Sequence, residues 1–170
     1  MKTLKRIAFL IFVSSIVTAS TYGQKKLQEV DLKVNGIGSG SSYSAVLAKF
    51  GKPTRQTTEE TGAALSCMAS DEVSRALYYP GLKIELLKTT EMRKFAVVAM
   101  TVSSARWSAS GVRAGSTLTQ VMKRFGKPIS IDREAGKTTY FYVTPGNLGS
   151  VNFEFSKGRL VSIVMSETLC

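Results

Sequence analysis

The sequence predicts an α+β fold of two tandem repeats, each a short helix (or helix pair) packed on an antiparallel meander of three or four strands. The first observation is a duplication: Gly36–Pro53 and Gly111–Pro128 align without a gap at a spacing of 75, and eight of the eighteen columns are identical. Self-similarity at a fixed period marks one supersecondary unit built twice. The second is an apolar stripe inside each copy, and the third is a change of period from 3.6 to 2 just downstream.

The stripe is Tyr43, Val46, Leu47 and Phe50 in the first copy and Leu118, Val121, Met122 and Phe125 in the second. Spacing of i, i+3, i+4, i+7 is one face of an amphipathic helix. Thr117 and Gln120 have capping-box spacing, whereas the first copy has Ser42 and Ala45 and keeps only half the box. Gly51 and Gly126 sit where a helix ends in a left-handed residue, and Pro53 and Pro128 forbid its continuation. Phe-Gly-Lys-Pro is thus a stop signal.

In the second repeat, Thr138–Val143 is rich in aromatic and β-branched residues, and Val151, Phe153 and Phe155 alternate with Asn152 and Glu154. These segments read as strands, with turns at 144–147 and at Lys157-Gly158 and a last strand over Leu160–Met165. Ile129–Asp132 adds a candidate strand directly after the helix. The first repeat follows the same plan with strands at Ala76–Tyr79, Leu82–Leu87 and Phe95–Val102. Thr57–Arg75, polar and rich in small residues, reads as a loop with room for one helical turn.

Residues 1–23 have the three parts of an export signal: Lys2, Lys5 and Arg6, an apolar run from Ile7 to Val17, and small residues to Gly23. The run is shorter than the ~20 residues a membrane span needs. The expected organisation is a signal peptide at 1–23, repeat 1 at 24–103, a linker at 104–110 and repeat 2 at 111–170. The expected location is periplasmic or secreted, soluble after cleavage. Removing three of the 23 basic residues leaves 20 against 12 acidic, a charge of +8. Such a charge steers anionic partners, with charge kept simply for solubility as the alternative. For an exported chain these are envelope polymers, a membrane surface or an acidic protein rather than nucleic acid. Cys67 and Cys170 form a candidate disulfide, with two unrelated thiols as the alternative.

Catalytic signatures are scarce. The chain has no histidine, two distant cysteines and three aspartates, Asp31, Asp71 and Asp132. That removes the usual general base and the commonest metal ligand. No Gly-x-Ser-x-Gly elbow or Ser-x-x-Lys pair occurs. The reading is therefore a non-enzyme with no metal and no cofactor. Gly36-x-Gly38-x-Gly40 before a helix suggests a phosphate loop. Its counterpart is Gly111, Arg113 and Gly115, and no buried parallel strand precedes either copy, so a tight turn is the better reading.

Aromatic residues are the candidate partner-binding positions. Tyr140 and Tyr142 point to one side of their strand and Phe141 to the other. With Phe141 in the core, Tyr140 and Tyr142 fall on the open face of the sheet, with Tyr78 or Tyr79 as counterpart. Tyrosines half-buried with hydroxyls at the rim are the alternative. Trp107 in the linker reads either as an exposed anchor or as a wedge that packs one repeat on the other.

Gly115-Ser116-Thr117, Gln120-Val121 and Phe125-Gly126-x-Pro128 resemble the helix signature of the β-lactamase-inhibitor-protein-like superfamily. That group includes the SmpA/OmlA-type outer-membrane assembly lipoproteins. Gly40, Ser41, Val46, Phe50, Gly51 and Pro53 match it less fully. The resemblance implies a helix packed on an antiparallel sheet in each repeat, a longer curved sheet from the pair, and a protein that works by binding other proteins. The chain departs from the lipoproteins in lacking a lipobox cysteine, and from the secreted inhibitors in lacking a cysteine pair within each repeat. The expected function is an exported protein-binding module using the open sheet face. The alternative is a structural or anion-binding protein of the cell envelope acting through its basic surface.

Overall fold

Both striped segments fold into eight-residue helices, α1 at Tyr43–Phe50 and α2 at Leu118–Phe125, in a computed structural model that describes residues 30–61, 72–88 and 93–167. The Ser42 hydroxyl accepts from the Ala45 amide. Thr117 accepts from the Gln120 amide while Gln120 Oε1 accepts from the Thr117 amide at 2.8 Å, closing the full box only in α2. Gly51 (φ 76°, ψ −162°) and Gly126 (φ 77°, ψ −156°) end the helices with positive φ but extended ψ. This region is essentially closed to any residue with a Cβ, a stricter demand than the left-handed helical cap expected there.

Eight antiparallel strands form one sheet. They are β1 Arg55–Thr61, β2 Glu72–Tyr79, β3 Leu82–Lys88, β4 Ala96–Val102, β5 Ser130–Glu134, β6 Lys137–Val143, β7 Gly149–Ser156 and β8 Arg159–Glu167. The order β1-β2-β3-β4-β8-β7-β6-β5 places β4 beside β8 and leaves β1 and β5 at the edges. Thr101 lies opposite Val164 across the β4–β8 pairing.

The segment expected to be a loop, Thr57–Arg75, gives residues to two strands: β1 runs to Thr61 and β2 begins at Glu72. Threonine and glutamate on an edge strand show no hydrophobic alternation, because neither face of β1 belongs to the core. Its stability comes from the ladder to β2, with Arg55 opposite Tyr78 and Thr57 opposite Ala76. Ser130–Glu134 makes the matching edge on β6, and all five of its residues are exposed.

Local contacts recur in the two halves. The ladder shifts register between Glu85 and Leu86 and again between Glu154 and Phe155, leaving Val98 and Val161 as the extra residues of two bulges. Beside each bulge the chain entering a helix adds a bridge: Gly40 donates to Val97 O and Val97 to Ser41 O, as Gly115 donates to Leu160 O and Leu160 to Ser116 O. Upstream, Val34–Ile37 and Ala109–Val112 are tight turns with positive φ at Asn35, Gly36, Ser110 and Gly111. A bridge between Val34 and Ala109 ties the two turns together.

The helices and these turns cover one face of the sheet. Buried between them are Val46, Leu77, Tyr79, Ile84, Met100, Val121, Phe125, Tyr140, Tyr142, Phe153, Ile163 and Met165. Two neighbouring aromatics per strand therefore have opposite fates, which fixes where a binding surface can lie.

Candidate functional site

Tyr140 (8% exposed) and Tyr142 (1%) belong to the core, contrary to their expected place on the open face. Tyr79 is buried as well, and its hydroxyl donates to Gly51 O at 3.0 Å, as the Tyr142 hydroxyl donates to Gly126 O at 3.0 Å. Each tyrosine reaches the carbonyl at the glycine that ends its helix. A buried phenol needs a partner, and the helix end has a free acceptor. With Tyr142 held in this way and Tyr140 buried beside it, the alternation of the strand turns Phe141 outward. Burial pushes the Tyr142 hydroxyl up to about 12, with Tyr140 adding to the effect. Tyr79 is raised too, by burial and then by Tyr43.

The residue before each buried tyrosine is the one on the open face. Tyr78 and Phe141 hold equivalent places, since the Thr54 amide donates to Tyr78 O and the Ile129 amide to Phe141 O. Both are half-buried. Strand register lines them up in one row: Arg55, Tyr78, Lys83 and Thr101, then Val164, Asn152, Phe141 and Ser130. Of the five aromatic candidates, the structure therefore keeps Tyr78 on this face. Phe141 was missed, because a period of 2 has two phases and a phenylalanine, having no polar atom, is the more apolar choice for the core. Aligning Tyr78-Tyr79 with Phe141-Tyr142 reveals it.

Polar groups frame the aromatic row. The Arg55 guanidinium lies 3.9 Å from the centre of the Tyr78 ring, and Lys83 Nζ lies 5.8 Å from it. Lys83 pairs with Glu85, and this hydrogen bond holds the ammonium above its ordinary value against the opposing effect of burial. A cavity of about 180 Å³ opens beside them, with Thr57, Glu59, Tyr78, Lys83, Glu85 and Leu87 in its wall. In the other half Lys137 pairs with Glu154, and Asn152 Oδ1 is buried without a partner among the described residues. Arginine, tyrosine and phenylalanine among paired charges suit a protein surface.

Trp107 is 9% exposed, so it is not an exposed anchor. It packs edge-on against Phe50 at 5.4 Å, and Nε1 donates to Pro80 O at 2.8 Å. Cys67, Cys170 and the 1–23 signal segment lie outside the described residues. The glycine-rich loop has its amides occupied within the chain: Gly38 donates to Ser41 Oγ, Gly40 to Val97 O and Ser41 to Gly38 O. Among the described residues there is no group of three metal-ligating side chains, and no helix is long and apolar enough to cross a membrane.

No family model and no curated relative matches the chain. Partial likeness to solved structures exists. An extracellular SCP-domain protein from Bacillus anthracis is 15% identical, with a TM-score of 0.45 over 75% of this chain and 43% of its own. This chain thus spans under half the length of that protein. A DUF4309 family protein from Bacillus subtilis, YjgB, is 13% identical, with a TM-score of 0.40 over 75% of this chain and 79% of its own. A Streptococcus mutans protein described as a β-lactamase inhibitor protein is 15% identical, with a TM-score of 0.29 over 76% of this chain and 84% of its own.

Proposed function

We propose that the chain is an exported, non-enzymatic protein-binding module made of two copies of one helix-and-meander unit, and that it binds through the open face of the sheet. The observation that carries this reading is the row holding Tyr78 and Phe141, an aromatic at the same position of each half, half-buried on the face the helices leave uncovered. The paired bulges and the paired tyrosine-to-glycine bonds support the reading of two copies.

The test is cross-linking in the native envelope and medium, identification of the captured protein, and titration of the purified pair. Truncating two central aromatic anchors removes ~2 kcal/mol or more each. Tyr78→Ala/Phe141→Ala is expected to weaken binding by at least about 100-fold. An unchanged affinity rejects the open face.

A second reading, anion binding in the cell envelope, is favoured by one feature. Residues 32–58 and 92–131, which contain both helices, carry eleven basic residues and no acidic one.

A further inference from the structure

Charge is divided between the two faces of the sheet. On the open side stand Glu59, Glu85, Asp132, Glu134 and Glu154, by their register with Ser74, Ala76, Thr139 and Lys137. Of the basic residues there, Lys83 and Lys137 are in ion pairs, Arg55 lies over Tyr78, and Arg159, opposite Ser156, donates to Gly115 O. On the helix side, Lys49, Lys52, Lys123 and Lys127 are exposed, and among the described residues none of them takes part in an ion pair. Lys52 and Lys127 occupy the same position after their helices, so the two halves offer basic helix ends on one layer. Neither helix has an acidic residue in its first turn, and both have basic residues in the last.

We infer that the helix layer adsorbs to an anionic lipid bilayer, resting on the second reading above and leaving the open face turned outward. Charge complementarity selects the occupant. The lysines are spread over two helix ends rather than gathered in a pocket, which fits an extended plane of phosphate headgroups. The groove of about 490 Å³ beside Ser39 and Gly40 is lined by Asp31, Lys33 and Glu167, with Lys33 paired to Asp31, so its charged lining is net acidic. The helices bury Val46, Val121 and Phe125 against the sheet, so no apolar stripe is left to insert. The contact is electrostatic, each lysine adding its share next to an anionic leaflet and losing it beyond a Debye length.

The experiment is co-sedimentation of the chain from Gln24 onward with vesicles of phosphatidylcholine alone, or of equal parts phosphatidylcholine and phosphatidylglycerol. Binding is expected to the mixed vesicles only, to vanish in high salt, and to leave Trp107 fluorescence unchanged. Lys49→Ala/Lys52→Ala/Lys123→Ala/Lys127→Ala is expected to weaken it by about 100-fold or more. The four lysine-to-arginine changes keep the charge and should keep the binding. Equal loss in the arginine variant, binding to neutral vesicles, or binding to soluble polyphosphate with none to vesicles would overturn the assignment. Tyr78→Ala/Phe141→Ala should leave vesicle binding intact, while the lysine variant should leave protein binding intact, so each surface fails or survives alone.

Discussion

The two halves solve one packing problem with different side chains. In the second half, β6 and β7 supply aromatics, and Phe153 stacks on Phe125 at 5.0 Å and meets Tyr142 edge-on at 5.3 Å. The corresponding strands of the first half supply Leu77 and Ile84. There Phe50 meets Tyr79 of β2 at 5.6 Å and, from outside the sheet, Trp107 at 5.4 Å, which belongs to the chain leading into α2. The exchange runs the other way as well, because Val30, ahead of α1, donates to Val143 O at the end of β6. Each half therefore carries an arm that reaches across to the other. The lesson is that the halves share local contacts in the backbone and touch one another in packing through both arms.

The largest effects should come from removing either aromatic solution. Phe153→Ala and Trp107→Ala are each expected to cost about 3–5 kcal/mol, the range for truncating a buried aromatic. Urea unfolding followed by circular dichroism should give one transition in both variants, shifted to lower denaturant. Two separate transitions in the Phe153 variant, which keeps both arms, would break the picture of crossed arms.

Alkaline pH tests the shared tyrosine bond. A phenol held near 12 in the fold and near 10 unfolded keeps its proton longer in the native state, so stability falls as pH rises from about 10 to 12. The loss expected from Tyr142 is about 2–3 kcal/mol. Tyr142→Phe should cost about 1 kcal/mol at neutral pH and flatten this alkaline decline. An unchanged pH profile would show that this hydroxyl plays no part in the alkaline decline.

How much of this was legible in the sequence follows from what each residue answers to. Helix bounds and caps were readable, since Ser42, Thr117, Gln120 and the Gly-x-Pro stops act within a few residues of themselves. Strand pairing within each meander was readable from turns. The strand phase at Tyr140–Tyr142 was not, because it depends on a bond to Gly126, distant along the chain. Edge strand β1 was hidden for a related reason: its support is the ladder to β2, and its own residues alternate in nothing. The 75-residue period also breaks after the edge strands. Tyr79 answers to Tyr142 rather than to residue 154, and only contacts show where the offset changes.

A smaller effect sharpens the comparison of helix ends. Gly51→Ala meets no atom within 4 Å of an added Cβ, so any cost is conformational. Positive φ with extended ψ costs a residue with a side chain about 1–3 kcal/mol. Gly126, with nearly the same angles, should lose a similar amount on the same change, measured by thermal unfolding. A much larger loss at one site would mean that its tyrosine bond is broken as well.

The smallest expected difference separates the caps. Thr117 sits in a reciprocal box with Gln120, while Ser42 accepts from Ala45 without return. Alanine at a cap costs roughly 0.5–2 kcal/mol, so Thr117→Ala belongs near the upper part of that range and Ser42→Ala near the lower. Ala45→Gln offers the converse. Its amide oxygen would be placed to accept from the Ser42 amide, completing the first box and recovering a few tenths of a kcal/mol in thermal unfolding. A gain at residue 45 would attribute the difference between the caps to one missing side chain. A loss would instead point to crowding of Ala45, which is partly buried against the core, and would place the cause in packing rather than in the cap.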